Sequence, residues 1–207
     1  GGGSMIWADD GGMLRVGPQS AGADPGPACY GRGGQVPTLT DAHVIRNTVR
    51  PEAFLGGRMA IFSERSRAVF QPIADQLGMS LEDAADSAVQ LTNANVGRAI
   101  QLVTTERGFD PRDYVLVPFG GAGPLHAASV ASDLGIAQVV VPPSAGVISA
   151  YGLIASDFTQ FTSLTRRARV DDSAPDIVRQ TYASMAEEAS TRFKALNLEG
   201  EPSVDFI

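Results

Sequence analysis

Apolar residues recur at helical spacing in two long stretches of the chain. After Ser80, the positions Leu81, Ala84, Ala88, Leu91, Asn95, Ala99 and Leu102 form one stripe of mostly small residues, which permits close helix approach. The Ser80-x-x-Asp83 spacing is a capping box, and Gly108 and Pro111 close the segment, so the pattern predicts a helix from Ser80 to Arg107. Val178, Tyr182, Met185, Ala189, Phe193 and Leu196 predict a second amphipathic helix over 175–198. Weaker helical signals lie at 41–50 and 63–77, the latter closed by Gly78. Extended runs at 4–8 and 13–16 flank Asp9-Asp10-Gly11-Gly12, a hairpin signal. The runs YVLVP (114–118) and QVVVP (138–142) read as buried strands. Between them Leu125, Ala128, Ala131 and Leu134 predict a helix that Gly135 ends, which makes a right-handed βαβ unit. Residues 158–170 read as a strand or hairpin arm.

Composition narrows the function. Thirteen of the 23 glycines fall within residues 1–60, and GPQSAGADPGPACYGRGG (17–34) reads as an ordered loop, too rich in Gly and Pro for helix or central strand. The 207 residues carry 16 basic and 23 acidic side chains, net −7, which gives no charge basis for a nucleic-acid or anionic-membrane partner. Lys194 is the only lysine, so there is no P-loop. Cys29 is the only cysteine and reads as structural, with nucleophilic catalysis the alternative; a disulfide within the chain and a thiolate zinc cage are excluded. With only His43 and His126 besides, any metal must lean on carboxylates or on a nucleotide. No run of 18 apolar residues exists, so the expectation is a soluble, cytoplasmic protein. Met5 follows GGGS, and 202–207 begins an extended run that stops without a turn, so a piece of a longer polypeptide is expected.

The candidate chemistry sits in FGGAGP (119–124), between the first strand of the βαβ unit and its helix. Glycines there let a planar ring or a phosphate lie against the backbone, and Pro124 opens the helix with free N–H groups facing that space. The dinucleotide fingerprint fails, because counting from Gly121 puts His126 where the third glycine belongs. Two readings stay open: an adenosine-binding turn of the actin, sugar-kinase and chaperone ATPase type, or a strand-to-helix turn with no ligand.

Blocks along the chain then point to a family. GGGS (1–4), GPQSAGADPGPACYGRGG (17–34), PTLTDA (37–42), ERGFDPRDY (106–114), FGGAGPLHA (119–127) and VPPSAGVISAYGLIASD (141–157) together resemble the hydantoinase A / 5-oxoprolinase family, which also includes β-type subunits of acetone carboxylases. The resemblance implies an α/β fold, part of an actin/sugar-kinase-like (ribonuclease-H-like) ATPase domain with inserted helices, over 1–160. Residues 161–207 then begin a following segment, a strand plus an amphipathic helix. It implies an ATP-dependent hydrolase that opens a lactam or imide ring after phosphorylating its oxygen, with ATP and Mg as cofactors, a small cyclic amide as substrate, a possible hydantoinase B-type subunit or domain as partner, and an oligomeric assembly. The alternatives are an ATP-dependent ketone carboxylase subunit, or a nucleotide-binding piece without turnover. The family's Asp-Gly-Gly-Thr phosphate loops precede its GGGS block and have no counterpart here, so this chain by itself is expected not to hydrolyse ATP.

Matched to the family's motifs, Gly120, Gly121 and Gly123 are the expected adenosine contacts, and His126, in the first helical turn, either reaches a ligand phosphate or packs inside. Asp24 and Asp41 match acids of its GADPGPACYG and TDA blocks and are the candidate catalytic carboxylates, able to hold magnesium or position water. The competing readings are a helix N-cap for Asp41 and a turn residue for Asp24.

Overall fold

The computed structural model describes residues 2–167, 170–196 and 203–206. Contacts divide the chain into two units, Gly1–Ile154 and Ala155–Ile207.

The first unit is mixed α/β. Strands β1 (Ser4–Ala8) and β2 (Leu14–Ser20) form the antiparallel hairpin that the Asp-Gly signal predicts. Asp9 fixes its turn, accepting from Gly11 N–H and Met13 N–H and pairing with Arg15 at 2.8 Å. β2 runs four residues into the Gly/Pro-rich segment read as loop. A register irregularity between the Ser4 and Ile6 pairings absorbs Gly17 and Pro18, which a regular ladder would reject. Helix α1 (Leu39–Ile45) starts two residues before its expected position. Its N-cap is Thr38, and Asp41 is the third helical residue of the capping box, which corrects the reading of Asp41 as the cap. Helix α2 (Ser63–Leu77) has its expected limits and ends on left-handed Gly78. Helix α3 (Leu81–Val103) is capped by Ser80 as expected, and a 3-10 turn over Thr105–Arg107 follows it. These helices and the hairpin enclose one core of Ile6, Leu39, Phe70, Leu81, Ala84 and Ala88 with their neighbours.

The buried stripe of α3 departs from the predicted one beyond Ala88. Leu91, Asn95, Ala99 and Leu102 give way to Val89, Asn93 and Gly97. Helix α4 (Gly123–Leu134) is the reason: Leu134 Cδ2 lies 3.9 Å from where a Cβ on Gly97 would stand, and Asn93 holds a histidine of α4. The buried face of α4 is likewise His126, Ala127, Val130 and Ala131, with Ala128 exposed. Strands β3 (Val115–Leu116) and β4 (Gln138–Val139) pair in parallel with α4 between them in sequence, the expected βαβ unit. Both were expected to be buried, yet Tyr114, Val115, Val117 and 139–141 are exposed. Continuous apolar runs belong to parallel strands covered on both faces, and only two short strands pair here. Helix α5 (Ile148–Ala155) follows.

Glycines of the 17–34 loop serve close packing. A Cβ on Gly34 would stand 2.3 Å from Gly26 O and 3.1 Å from Ala28 N. Gly34→Ala is therefore expected to destabilise the unit by about 1–3 kcal/mol, the range for forced overpacking. Urea unfolding reads this directly, and an unchanged midpoint would mean that the loop yields freely.

In the second unit, helix α6 (Ala174–Ala195) ends one residue before the last position of the predicted stripe, and Leu198 lies outside the described residues. Residues 158–167 and 170 have no regular secondary structure, so no strand forms among the described residues of the 158–170 stretch where one was expected; 168–169 lie outside them. Phe161, Leu164, Tyr182, Met185 and Phe206 line a cavity of about 660 Å³ against the apolar side of α6.

Candidate functional site

The carboxyl ends of β3 and β4 lead into neighbouring loops joined by one hydrogen bond, Gly120 N–H donating to Ala145 O at 2.8 Å. The crevice outside the carboxyl ends of parallel strands is where open α/β sheets receive ligands. Gly120 is required by its backbone, at φ +81°. Gly121 is different: its backbone is ordinary and nothing lies within 4 Å of where its Cβ would stand. Gly146, in the facing loop, shares both properties, and Ser144 beside it holds a left-handed φ of +55°. Neither turn conformation nor packing against described residues thus requires glycine at 121 or 146. A Cβ on Gly123 would make only ordinary contact with Pro118, at 3.8 Å, and Pro124 occupies the first turn of α4. A cavity of about 320 Å³ lies under the turn, lined by Leu39, Val96, Leu116, Phe119, Ala122 and His126 among others.

His126 turns inward from this cavity's wall. It is 6% exposed, with Nδ1 2.7 Å from Asn93 Oδ1 on α3 and Nε2 3.3 Å from His43 Nε2 on α1. Both ring nitrogens are therefore engaged inside the protein, and the ring edge is what the cavity meets. His43 is fully buried, and its Nδ1 has no partner among the described residues. Burial, then the adjacent His126, then Arg46 push the His43 pKa down to about 4. The pKa of His126 is lowered as well, by burial first and by positive charge second.

Asp41 organises a different place. Its carboxylate is fully buried and accepts five hydrogen bonds. Oδ1 receives Cys29 N–H at 2.9 Å and the Ser66 hydroxyl at 2.7 Å; Oδ2 receives Thr38 N–H, the Thr38 hydroxyl and Ala28 N–H at 3.0, 2.8 and 3.2 Å. One side chain thus stitches the 28–29 turn, the start of α1 and α2 together. Cys29 is buried beside it, and burial first, Asp41 second, push its thiol far above the usual range, which makes it a poor nucleophile. Asp24 is exposed, in a turn that Gly26 N–H closes onto Ala21 O at 3.2 Å.

The predicted site residues thus fall into three places. Gly120, Gly121, Gly123 and His126 come together at the turn, Asp41 sits at a buried junction, and Asp24 lies on the loop that Asp41 anchors. Helix α1 links Asp41 to the turn, since it carries both Asp41 and His43. The sequence reading singles out neither Asn93, Thr38 and Ser66 nor the 144–146 loop as site residues. Thr38 was detectable, since Thr38-x-x-Asp41 is the same capping spacing as Ser80-x-x-Asp83. Asn93 carries no such signal, because its role depends on a residue 33 positions away. Among the described residues no helix is long and apolar enough to cross a membrane, and no three His, Cys, Asp or Glu side chains gather as metal ligands.

Comparison with known proteins places this geometry. A family model described as hydantoinase/oxoprolinase matches residues 1–161. The caprolactamase subunit alpha of Pseudomonas jessenii is 37% identical over 99% of this chain and 30% of its own length. The solved structure of that ATP-dependent caprolactamase superposes over 99% of this chain and 30% of the other, with a TM-score of 0.68 at 36% identity. The acetophenone carboxylase gamma subunit of Aromatoleum aromaticum is 40% identical over 96% of this chain and 28% of its length. A nucleotide-free acetone carboxylase structure gives a TM-score of 0.71 at 34% identity, over 76% of this chain and 22% of the other. The chain spans less than a third of the length of these relatives.

Proposed function

The chain belongs to the hydantoinase/oxoprolinase family, and on that premise we propose that its 120–123 turn and the facing 144–146 loop receive the adenosine half of ATP in an ATP-dependent hydrolase of cyclic amides, of the N-methylhydantoinase or 5-oxoprolinase type. The observation that carries this reading is Gly121: a glycine with an ordinary backbone and open space before it, at the carboxyl end of a parallel strand. Gly146 repeats the feature across the crevice. On this reading residues 1–160 belong to an actin/sugar-kinase-like ATPase domain of ribonuclease-H-like fold, whose other parts lie outside these 207 residues.

In this proposal the chain's own contribution is binding and orientation. Gly121 and Gly146 leave room for the base and ribose, the Gly123 amide opens α4 toward the ligand, and His126 backs the turn from inside. When bound, ATP would supply the phosphoryl group that, on a lactam oxygen, makes the ring carbon electrophilic enough for water to add and the C–N bond to break. Magnesium does not fit Asp41, one of the two carboxylates suggested for it, because five donors occupy its oxygens. Asp41 is then a positioning residue, and Asp24 is the acid of the pair that remains open to a ligand. A second reading rests on the acetone carboxylase likeness: the whole protein is a subunit of an ATP-dependent ketone carboxylase, with the same adenosine turn. Relatives named as subunits favour a partner subunit, of hydantoinase B type in the first reading, and an oligomeric assembly.

Gly121→Val tests the shared element. In the full-length protein its affinity for a non-hydrolysable ATP analogue, by calorimetric titration, is expected to fall at least about tenfold, roughly the 1.4 kcal/mol that a misplaced ring contact costs. Thermal stability should stay within about 0.5 kcal/mol of the parent value, since no described residue lies within 4 Å of the added Cβ. Unchanged affinity in a folded variant would leave the turn without a ligand.

A further inference from the structure

The turn at 120–123 is tied to the fold by three buried polar side chains, and their chemistry gives the chain of contacts a direction. A carboxamide oxygen only accepts, so the 2.7 Å contact from Asn93 Oδ1 requires a proton on His126 Nδ1. A neutral imidazole has one N–H, which leaves a lone pair on His126 Nε2. The 3.3 Å contact then requires the proton on His43 Nε2, and His43 Nδ1 ends the chain as a buried acceptor without a donor.

We propose that Asn93 and His43 are positioning residues for the candidate site: they hold His126 neutral as its Nδ1–H tautomer, and through it clamp the first turn of α4, and with it the glycine turn, onto α1 and α3. Proton uptake by the pair undoes the clamp. A protonated His126 would present Nε2–H to the Nε2–H of His43, donor to donor. A protonated His43 would carry a proton on Nδ1, where no acceptor lies. Among the described residues, the charged group that bears on both histidines is Arg46, which follows α1, and it opposes a further positive charge. Asp86 of α3 is already ion-paired with Arg46 at 2.9 Å, and Asp41 of α1 is saturated by its five donors. Only the ligand arm of the test rests on the nucleotide reading.

The chain has two histidines, so nitrogen NMR of ¹⁵N-labelled imidazoles reads each separately. At pH 7 the expected result is a protonated Nδ1 and bare Nε2 in His126, and the reverse in His43. Asn93→Ala should mix the tautomers of His126 and speed amide hydrogen exchange at residues 121–125 about tenfold, the effect of one lost buried hydrogen bond. Asn93→Asp keeps the accepting oxygen. It should restore the tautomer and raise the pH at which His126 titrates, whereas a packing role alone would make it no better than Asn93→Ala. Should Asn93→Ala not fold, the wild-type tautomers and Asn93→Asp decide. A proton on Nε2 of His126 at pH 7, or unaltered exchange at 121–125 in folded Asn93→Ala, overturns the proposal. In the ligand arm, ADP affinity should fall about tenfold in Asn93→Ala, by the same lost hydrogen bond. Wild-type chain that shows the stated tautomers but no ADP binding supports the clamp and counts against the nucleotide reading alone.

Discussion

Asp41→Asn is expected to destabilise the Gly1–Ile154 unit by about 2–6 kcal/mol, the cost of leaving at least two buried donors unsatisfied. Five donors converge on this carboxylate, and none of them is a lysine or arginine. An amide offers one accepting oxygen, and its NH₂ would meet N–H and O–H groups head on. At least two donors would then be buried unsatisfied, each at about 1–3 kcal/mol. The loss spreads across three elements, since Ala28 and Cys29, Thr38 and Ser66 belong to a turn, a helix start and α2. Urea denaturation followed by far-UV circular dichroism measures it. Ser66→Ala should cost less, about 1 kcal/mol, because it removes one donor and leaves four in place. A variant that keeps wild-type stability but loses activity in the full-length protein would instead mark Asp41 as chemically active.

The same carboxylate shows what the sequence could convey and what it could not. Local, periodic features were legible: the Asp-Gly hairpin, the limits of α2, the Ser80 cap, and the strand, glycine turn and helix of the βαβ unit. The TDA block marked Asp41 as a residue of consequence. Its burial beneath Cys29 and Ser66 was not legible, because those contacts span 12 and 25 residues and leave no period. The stripe of α3 shows the same limit. Helical spacing locates its first half correctly, and then α4 draws Asn93 and Gly97 inward by contacts that only the tertiary fold supplies. In the candidate site, glycine content identified the 120–123 turn. Its pairing with the 144–146 loop follows from β3 and β4 lying side by side, a topological fact.

Acidification is expected to weaken the first unit well before its carboxylates protonate. His43 titrates near 6.5 when exposed and at about 4 in the fold, so its folded pKa is depressed. A group of that kind costs nothing above the unfolded value. As the pH falls below 6.5 the unfolded chain takes up a proton that the folded one refuses, and stability drops until the folded histidine also protonates near pH 4. At about 1.4 kcal/mol per pH unit, the full loss is on the order of 3 kcal/mol. The lowered pKa of His126 acts in the same direction. The surface acids Asp9, Asp110 and Glu82 also have depressed pKa values, each led by a hydrogen bond, and their contributions are present above about pH 4 and fade only below it, so the two windows separate. Urea midpoints taken from pH 7.5 to 4.5 should therefore slope steadily downward below 6.5. His43→Leu removes the group responsible, lowers stability at pH 7 and should flatten most of that slope. A midpoint indifferent to pH across this window, or an equal slope in the His43→Leu protein, would show that the buried imidazoles are not what acid attacks.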